Sequence, residues 1–131
     1  MKKINEIILI NLELKTFTKQ DAEDYCLLNN LNNDDIIELY LWNNELTDIT
    51  GIKLFKNLEA LRLDYNQLIN NISVIKYLKK LKYLGIINLE LKSDQIKYIN
   101  SLKNLKELYC EKGFKDMSVL NQLNNNIKVI K

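Results

Sequence analysis

The chain has no histidine, no proline, three glycines, two cysteines and a single arginine, Arg62, among 131 residues. These scarcities narrow the possible functions. Without histidine, the side chain that most often serves as general base or zinc ligand near neutral pH is missing. The three glycines are scattered, so there is no glycine-rich phosphate loop. Cys26 and Cys110 lack the paired spacing of a metal or redox motif, and we read them as reduced thiols of a reducing compartment. Cys110 falls at an apolar position of the pattern described below and reads as a small core hydrophobe. Cys26 has no histidine to activate it. Asp34 and Asp35, adjacent acids before an apolar run, read as a solvated turn rather than a cation site. The expectation is a non-catalytic protein with no cofactor and no metal.

Long hydrophobic runs are also missing. No apolar stretch approaches the roughly 18 residues of a membrane span. The start, MKKINEIILINLEL, has the lysines and aliphatics of a signal peptide. However, Glu6, Asn11 and Glu13 interrupt it and no small-residue cleavage site follows. We expect a cytoplasmic protein. The net charge of +2 is too small to imply nucleic acid or an anionic membrane as partner. Almost all positive charge is lysine, and asparagine is abundant. That bias reads as genomic base composition rather than mechanism. At 47% hydrophobic and 27% charged residues, the chain fits one globular domain.

What the sequence does have is repetition. The hexapeptide INLELK occurs at Ile10–Lys15 and again at Ile87–Lys92. Aliphatic residues recur in one spacing from Ile36, Leu58, Leu81 and Leu105, intervals of 22, 23 and 24 residues. The same frame extends back to Ile4 and forward to a partial unit from Ile127. Self-similarity at this period is the signature of stacked structural repeats. Within a unit, stretches such as Glu38-Leu39-Tyr40-Leu41 alternate, placing the leucines on one face of a short strand. An asparagine, Asn44 or Asn66, then turns the chain. A run apolar at every third residue follows and returns as a helix or 3-10 segment. No unit buries its apolar face alone, so stacking must form one continuous core and one parallel sheet.

The segments IIELYLWNNELTDITGIKLF and LEALRLDYNQLINNISVIKYL resemble the leucine-rich repeat, L-x-x-L-x-L-x-x-N-x-L. They are similar to its short class of about 22 residues, found in phosphatase-regulator-type and internalin-type repeats. The resemblance covers nearly the whole chain. It implies an α/β fold, a single domain over residues 1–131. The fold would be a right-handed solenoid with a parallel sheet on the concave face and short α or 3-10 segments on the convex face. It also implies a protein-binding scaffold, an adaptor or regulator.

In this frame INLELK is the exit from the strand in two equivalent units. Leu12 and Leu89 replace the motif asparagine and are expected to face the core. Both copies precede longer return segments. Ser93 is expected to cap one. Thr18 with Asp21 suggests a capping box at the start of a helix over Lys19–Asn30. Tyr25, Leu28 and Cys26 are its expected buried side, shielding the bottom of the core.

The outward strand positions form columns over the concave face. They carry Glu6, Glu38, Ala60, Tyr83 and Glu107, then Ile8, Tyr40, Arg62, Gly85 and Tyr109. Ile10, Trp42, Asp64, Ile87 and Glu111 follow, with Asn11, Asn43, Tyr65, Asn88 and Lys112 beside them. Five acids against Arg62 and Lys112 give this face −3 in a chain of +2. Lysines 76, 79, 80, 97 and 103 fall in the return segments. Tyrosine, tryptophan and arginine are the residues that most often anchor interfaces. The expected binding site is therefore Glu38, Tyr40, Trp42, Arg62, Asp64, Tyr65, Tyr83, Tyr109 and Glu111. Gly85 leaves a dip for a ligand side chain. The expected ligand is a protein or peptide, with basic side chains favoured by the −3 balance and Trp42 as cation–π partner. Nucleic acid is disfavoured by the acidic face. The alternative is a structural protein that self-associates through exposed sheet edges.

Overall fold

The computed structural model describes residues 5–130. It is an α/β fold built on a six-stranded, all-parallel sheet with a few short helices. The strands are β1 (Glu6–Ile8), β2 (Glu38–Tyr40), β3 (Ala60–Arg62), β4 (Tyr83–Gly85), β5 (Glu107–Tyr109) and β6 (Lys128–Ile130). They lie in chain order, each paired with the next. The register is the one the sequence spacing predicts: Ile7, Leu39, Leu61, Leu84, Leu108 and Val129 sit side by side. All but Val129 are fully buried. Leu9, Leu41, Leu63, Ile86 and Cys110 continue the inward row one alternation later, where the strands leave the sheet.

Between strands the chain returns through 3-10 segments at Thr50–Leu54, Ser73–Tyr77 and Met117–Gln122, each sending its apolar side into the same core. The fourth return combines a 3-10 turn at Ser93–Gln95 with helix α2 (Ile96–Asn100). Short Asx turns start the three 3-10 segments: Asp48, Asn71 and Asp116 accept from the backbone N–H of Thr50, Ser73 and Ser118. The first return holds the longest helix, α1 (Lys19–Leu28). Thr18 caps it in a reciprocal capping box with Asp21, as expected. α1 lies against Thr50–Leu54 so closely that a Cβ on Gly51 would stand 2.2 Å from the Thr18 carbonyl oxygen.

Asn44 and Asn66, read from sequence as the residues that turn the chain, bind neighbouring segments together. Asn66 is fully buried. Its Oδ1 accepts from Asn44 N (2.8 Å) and Leu46 N (3.3 Å), and its Nδ2 donates to Leu41 O and Leu63 O, both at 2.8 Å. Asn44 repeats this one segment earlier, accepting from Leu12 N and donating to Leu9 O. Asn33, Asn57, Asn100 and Asn104 each donate to a backbone carbonyl 21 to 25 residues away. Buried turn amides need such partners.

INLELK is a turn with two left-handed residues in both copies, to which the first copy adds Lys15 at φ 67°. Asn11 and Glu13 have φ of 58° and 52°, and Asn88 and Glu90 have 64° and 50°. Several expectations fail around these turns. Leu89 is buried but Leu12 is 53% exposed, since it follows β1, the edge strand of the sheet among the described residues. Leu68 is exposed and Ile69 is buried in its place. Asn43 and Glu45 flank Asn44 with left-handed backbone, whereas Gln67 after Asn66 is not left-handed. The chain instead closes a turn from Ile69 N to Asn66 O, moving the inward residue one place on. Ser93 does not cap its helix; the flanking residue is Lys92, without a side-chain cap. In α1 the buried residues are Ala22 and Cys26; Tyr25 is half-buried and Leu28 is 84% exposed. The helix turns its small side chains inward.

Candidate functional site

The second face of the sheet carries the columns predicted from sequence, in register across β1 to β5, and β6 adds Lys128 and Ile130 to them. Its centre is Arg62 on β3. Arg62 Nε donates to Asp64 Oδ2 at 2.8 Å, and Nη2 lies 2.7 Å from the same oxygen. Asp64 Oδ1 accepts from Ile87 N at 2.8 Å. The Asp64 carboxylate is 1% exposed, which corrects the expectation of an outward acid available to ligand. Burial pushes its pKa up, while the Ile87 N–H and the Arg62 guanidinium act in the opposite direction.

The dip expected at Gly85 is filled by this arginine. A Cβ at Gly85 would lie 2.1 Å from Arg62 Nε and 2.7 Å from Asp64 Oδ1. Glycine in β4 thus lets the Arg62 side chain lie flat across the strand. Its guanidinium reaches the ring of Tyr109 on β5, 4.4 Å from the centroid, and that of Trp42 beyond β2, at 5.7 Å. Trp42 was expected to be an exposed cation–π partner for a ligand. It is half-buried, with one ring face over Arg62 and an edge contact to Tyr40 at 6.2 Å and 74°. Trp42 Nε1 is buried with no hydrogen-bond partner among the described residues.

Tyr40 and Tyr109 are half-buried and tethered to acids. The Tyr109 hydroxyl donates to Glu107 at 2.6 Å, and this bond is the first cause of its raised pKa. Burial raises that of Tyr40, helped by the charge and hydrogen bond of Glu38. Tyr65, Tyr83 and Glu111 are exposed. The structure therefore gathers Glu38, Tyr40, Trp42, Arg62, Asp64 and Tyr109 into one cluster, with Tyr65 and Glu111 beside the strand-exit turns.

The sequence-based site omitted Glu107, which holds Tyr109, and Asn88 and Lys112, which line clefts beside Tyr65. Glu107 sits in the same outward column as Glu38, and that column position was the available signal. On the return segments Lys76 and Lys97 lie over their neighbours Tyr77 and Tyr98. A separate cleft of about 270 Å³ opens between the end of β1 and α1, lined by Leu9, Leu14, Phe17, Tyr25 and Leu28 with Asp21 and Asp24.

Cys26 and Cys110 are both buried, and desolvation pushes the Cys26 thiol up, away from a reactive thiolate. Asp34 lies 3.6 Å from the Lys56 ammonium. Among the described residues, no three or more His, Cys, Asp or Glu side chains cluster to hold a metal ion. No described helix is long and apolar enough to cross a membrane. The chain matches no family model, no curated protein and no solved structure.

Proposed function

We propose that the chain is a short-class leucine-rich-repeat solenoid and a non-catalytic binding module whose outer sheet face takes a protein or peptide segment. The repeat reading is supported by strands in chain order, with 22- to 24-residue spacing from β2 to β5, and by the Asn44–Asn66 stack. The binding reading is carried by one observation: Arg62 is fixed between Trp42 and Tyr109 by the buried Asp64, on a face opposite the core. A buried ion pair is a poor way to gain stability, since desolvation offsets most of the attraction. It is a good way to hold an arginine and two rings in one conformation before a partner arrives, which lowers the ordering cost of association. Asp64 engages Nε and Nη2, so the Nη1 donors remain outside the pair. Six strands at ~4.8 Å span about 24 Å, a width an extended segment of about seven residues crosses.

The test is site-specific cross-linking in lysate of the source cell. A photoreactive phenylalanine at position 40 or 83 is expected to capture a discrete partner, and one at Tyr77 or Tyr98 is not. Capture of the same partner only from positions 77 and 98 would move the site to the return segments.

Exposed apolar side chains favour a second reading. Ile8, Leu12, Leu27 and Leu28 are all more than half exposed at the β1 side. They suit self-association through that edge. Light scattering after size exclusion separates the readings: a dimer dispersed by the double change Leu27→Glu, Leu28→Glu supports edge assembly, and a monomer at all concentrations excludes it.

A further inference from the structure

We propose that Tyr65 is the ligand anchor of this chain, and that its occupant is a basic protein segment seating a lysine or arginine side chain on the Tyr65 ring. This rests on the sheet-face reading above and names the chemistry of its ligand. Tyr65 belongs to a column in which every residue is left-handed: Asn11, Asn43, Tyr65, Asn88 and Lys112 have φ of 58°, 52°, 63°, 64° and 51°. The turn leaving each strand imposes that conformation. Asparagine tolerates it and fills three of the five places; a bulky aromatic residue is disfavoured there. Tyr65 is therefore the residue least suited to its own backbone.

The fold gains little from it in return. Tyr65 is 52% exposed. Among the described residues no ring stacks on it and no cation lies over it, whereas Trp42 and Tyr109 already carry Arg62, and Tyr77 and Tyr98 carry lysines. An incoming cation would have to displace Arg62 from Trp42, but it finds the Tyr65 face open. Tyr65 also forms the ridge between two clefts. One, of about 310 Å³, is bordered by Glu45, Gln67 and Leu68. The other, of about 240 Å³, is bordered by Ile87, Glu111 and Lys112. Asn88 lines both, and its amide suits the backbone of a segment crossing the ridge. Glu111 borders the second cleft beside Lys112, Glu45 at the first is paired with Lys15, and with Lys128 of β6 the outward columns carry −2, a balance that favours a cation. Strain kept at an exposed aromatic between two clefts has a use in binding and none in folding.

The test uses the full chain, ¹⁵N-labelled, titrated with a capped hexapeptide carrying one central arginine in a serine–glycine background, and with its glutamate counterpart. The arginine peptide is expected to shift the amides of Tyr65, Asn88 and Lys112, and to bind wild type at least about threefold more tightly than Tyr65→Asn. The glutamate peptide is expected to bind more weakly than the arginine peptide. In parallel, Tyr65→Asn is expected to raise the thermal midpoint by about 3 °C, because asparagine relieves the backbone. A lowered midpoint would make Tyr65 structural and overturn the proposal. Shifts centred on Tyr40, Trp42 and Tyr109, unchanged by Tyr65→Asn, would overturn the anchor while leaving the sheet-face reading intact. Shifts with neither peptide, or equal shifts with both, would overturn the basic occupant, and the cross-linking at positions 40 and 83 would still decide the sheet-face reading.

Discussion

Gly85→Ala should damage a strand that alanine would ordinarily suit. Gly85 has no left-handed φ, so the new side chain meets only a steric problem. Its Cβ would lie 2.1 Å from Arg62 Nε, 2.6 Å from Arg62 Cδ and 2.7 Å from Asp64 Oδ1. The flexible partner is Arg62, so the arginine leaves and Asp64 loses its cation. Removing one partner of a buried pair costs about 3–5 kcal/mol. Arg62 is 20% exposed in its side chain and Asp64 keeps its bond from Ile87 N, so the lower part of that range applies. Replacing strand glycine by alanine returns about 0.5–1 kcal/mol. The net expectation is a loss of about 2 kcal/mol, read by urea unfolding with an unchanged m-value. Asp64→Asn should make the alanine cheaper, because no buried charge is then left behind. A stabilising or neutral Gly85→Ala in the wild-type background would refute the idea that Gly85 exists to seat Arg62.

Three further outcomes follow from the geometry. Asn66→Ala leaves two buried amides and two carbonyls without partners and should cost about 2–4 kcal/mol. It should exceed Asn44→Ala, whose bond from Leu12 N is only part-buried; chemical denaturation of both variants checks the order. Trp42→Ala should cost about 1–2 kcal/mol rather than leave the fold untouched, because the ring is half-buried and packs on Tyr40 and Arg62; a thermal scan decides. The pKa of Asp64 is raised in the folded state, so the folded protein binds that proton more tightly than the unfolded chain. Its contribution to stability is then full below the ordinary aspartate value and falls as pH rises through the folded pKa. The stability of wild type relative to Asp64→Asn should decline across that window and then level off. Asp21, lowered chiefly by its bond from the Thr18 backbone, should show the opposite trend against Asp21→Asn, losing stability as pH falls. Unfolding curves at several acidic pH values test both signs.

The strand positions and the inward row could be read because period-two alternation and a 22- to 24-residue spacing are properties of the chain alone. So could the capping box at Thr18, whose partners lie three residues apart. Asp64 could not. Alternation places it outward, and it is buried only because Gly85, one strand away, lets Arg62 lie over it. Leu68 takes the last leucine place of the repeat motif and is nonetheless exposed, because the turn after Asn66 adds one residue before returning to the core, a choice of backbone rather than of hydropathy. The helical phase of α1 was misplaced too: Leu27 and Leu28 are its most apolar residues, yet Ala22 and Cys26 are the buried ones. Tyr65 was recognised as exposed, but its left-handed backbone appeared only when the turns of five strands could be compared.

The central claim is that the sheet face around Arg62 receives a partner segment. The most direct measurement is amide chemical-shift mapping with the segment captured by cross-linking at positions 40 and 83, titrated into the labelled chain. Binding at this face confines the shifts to residues 38–42, 62–65, 83–88 and 107–112, with residues 74–79 and 97–103 unmoved. Shifts confined to those return segments, or to the edge formed by β1 and α1, would contradict it.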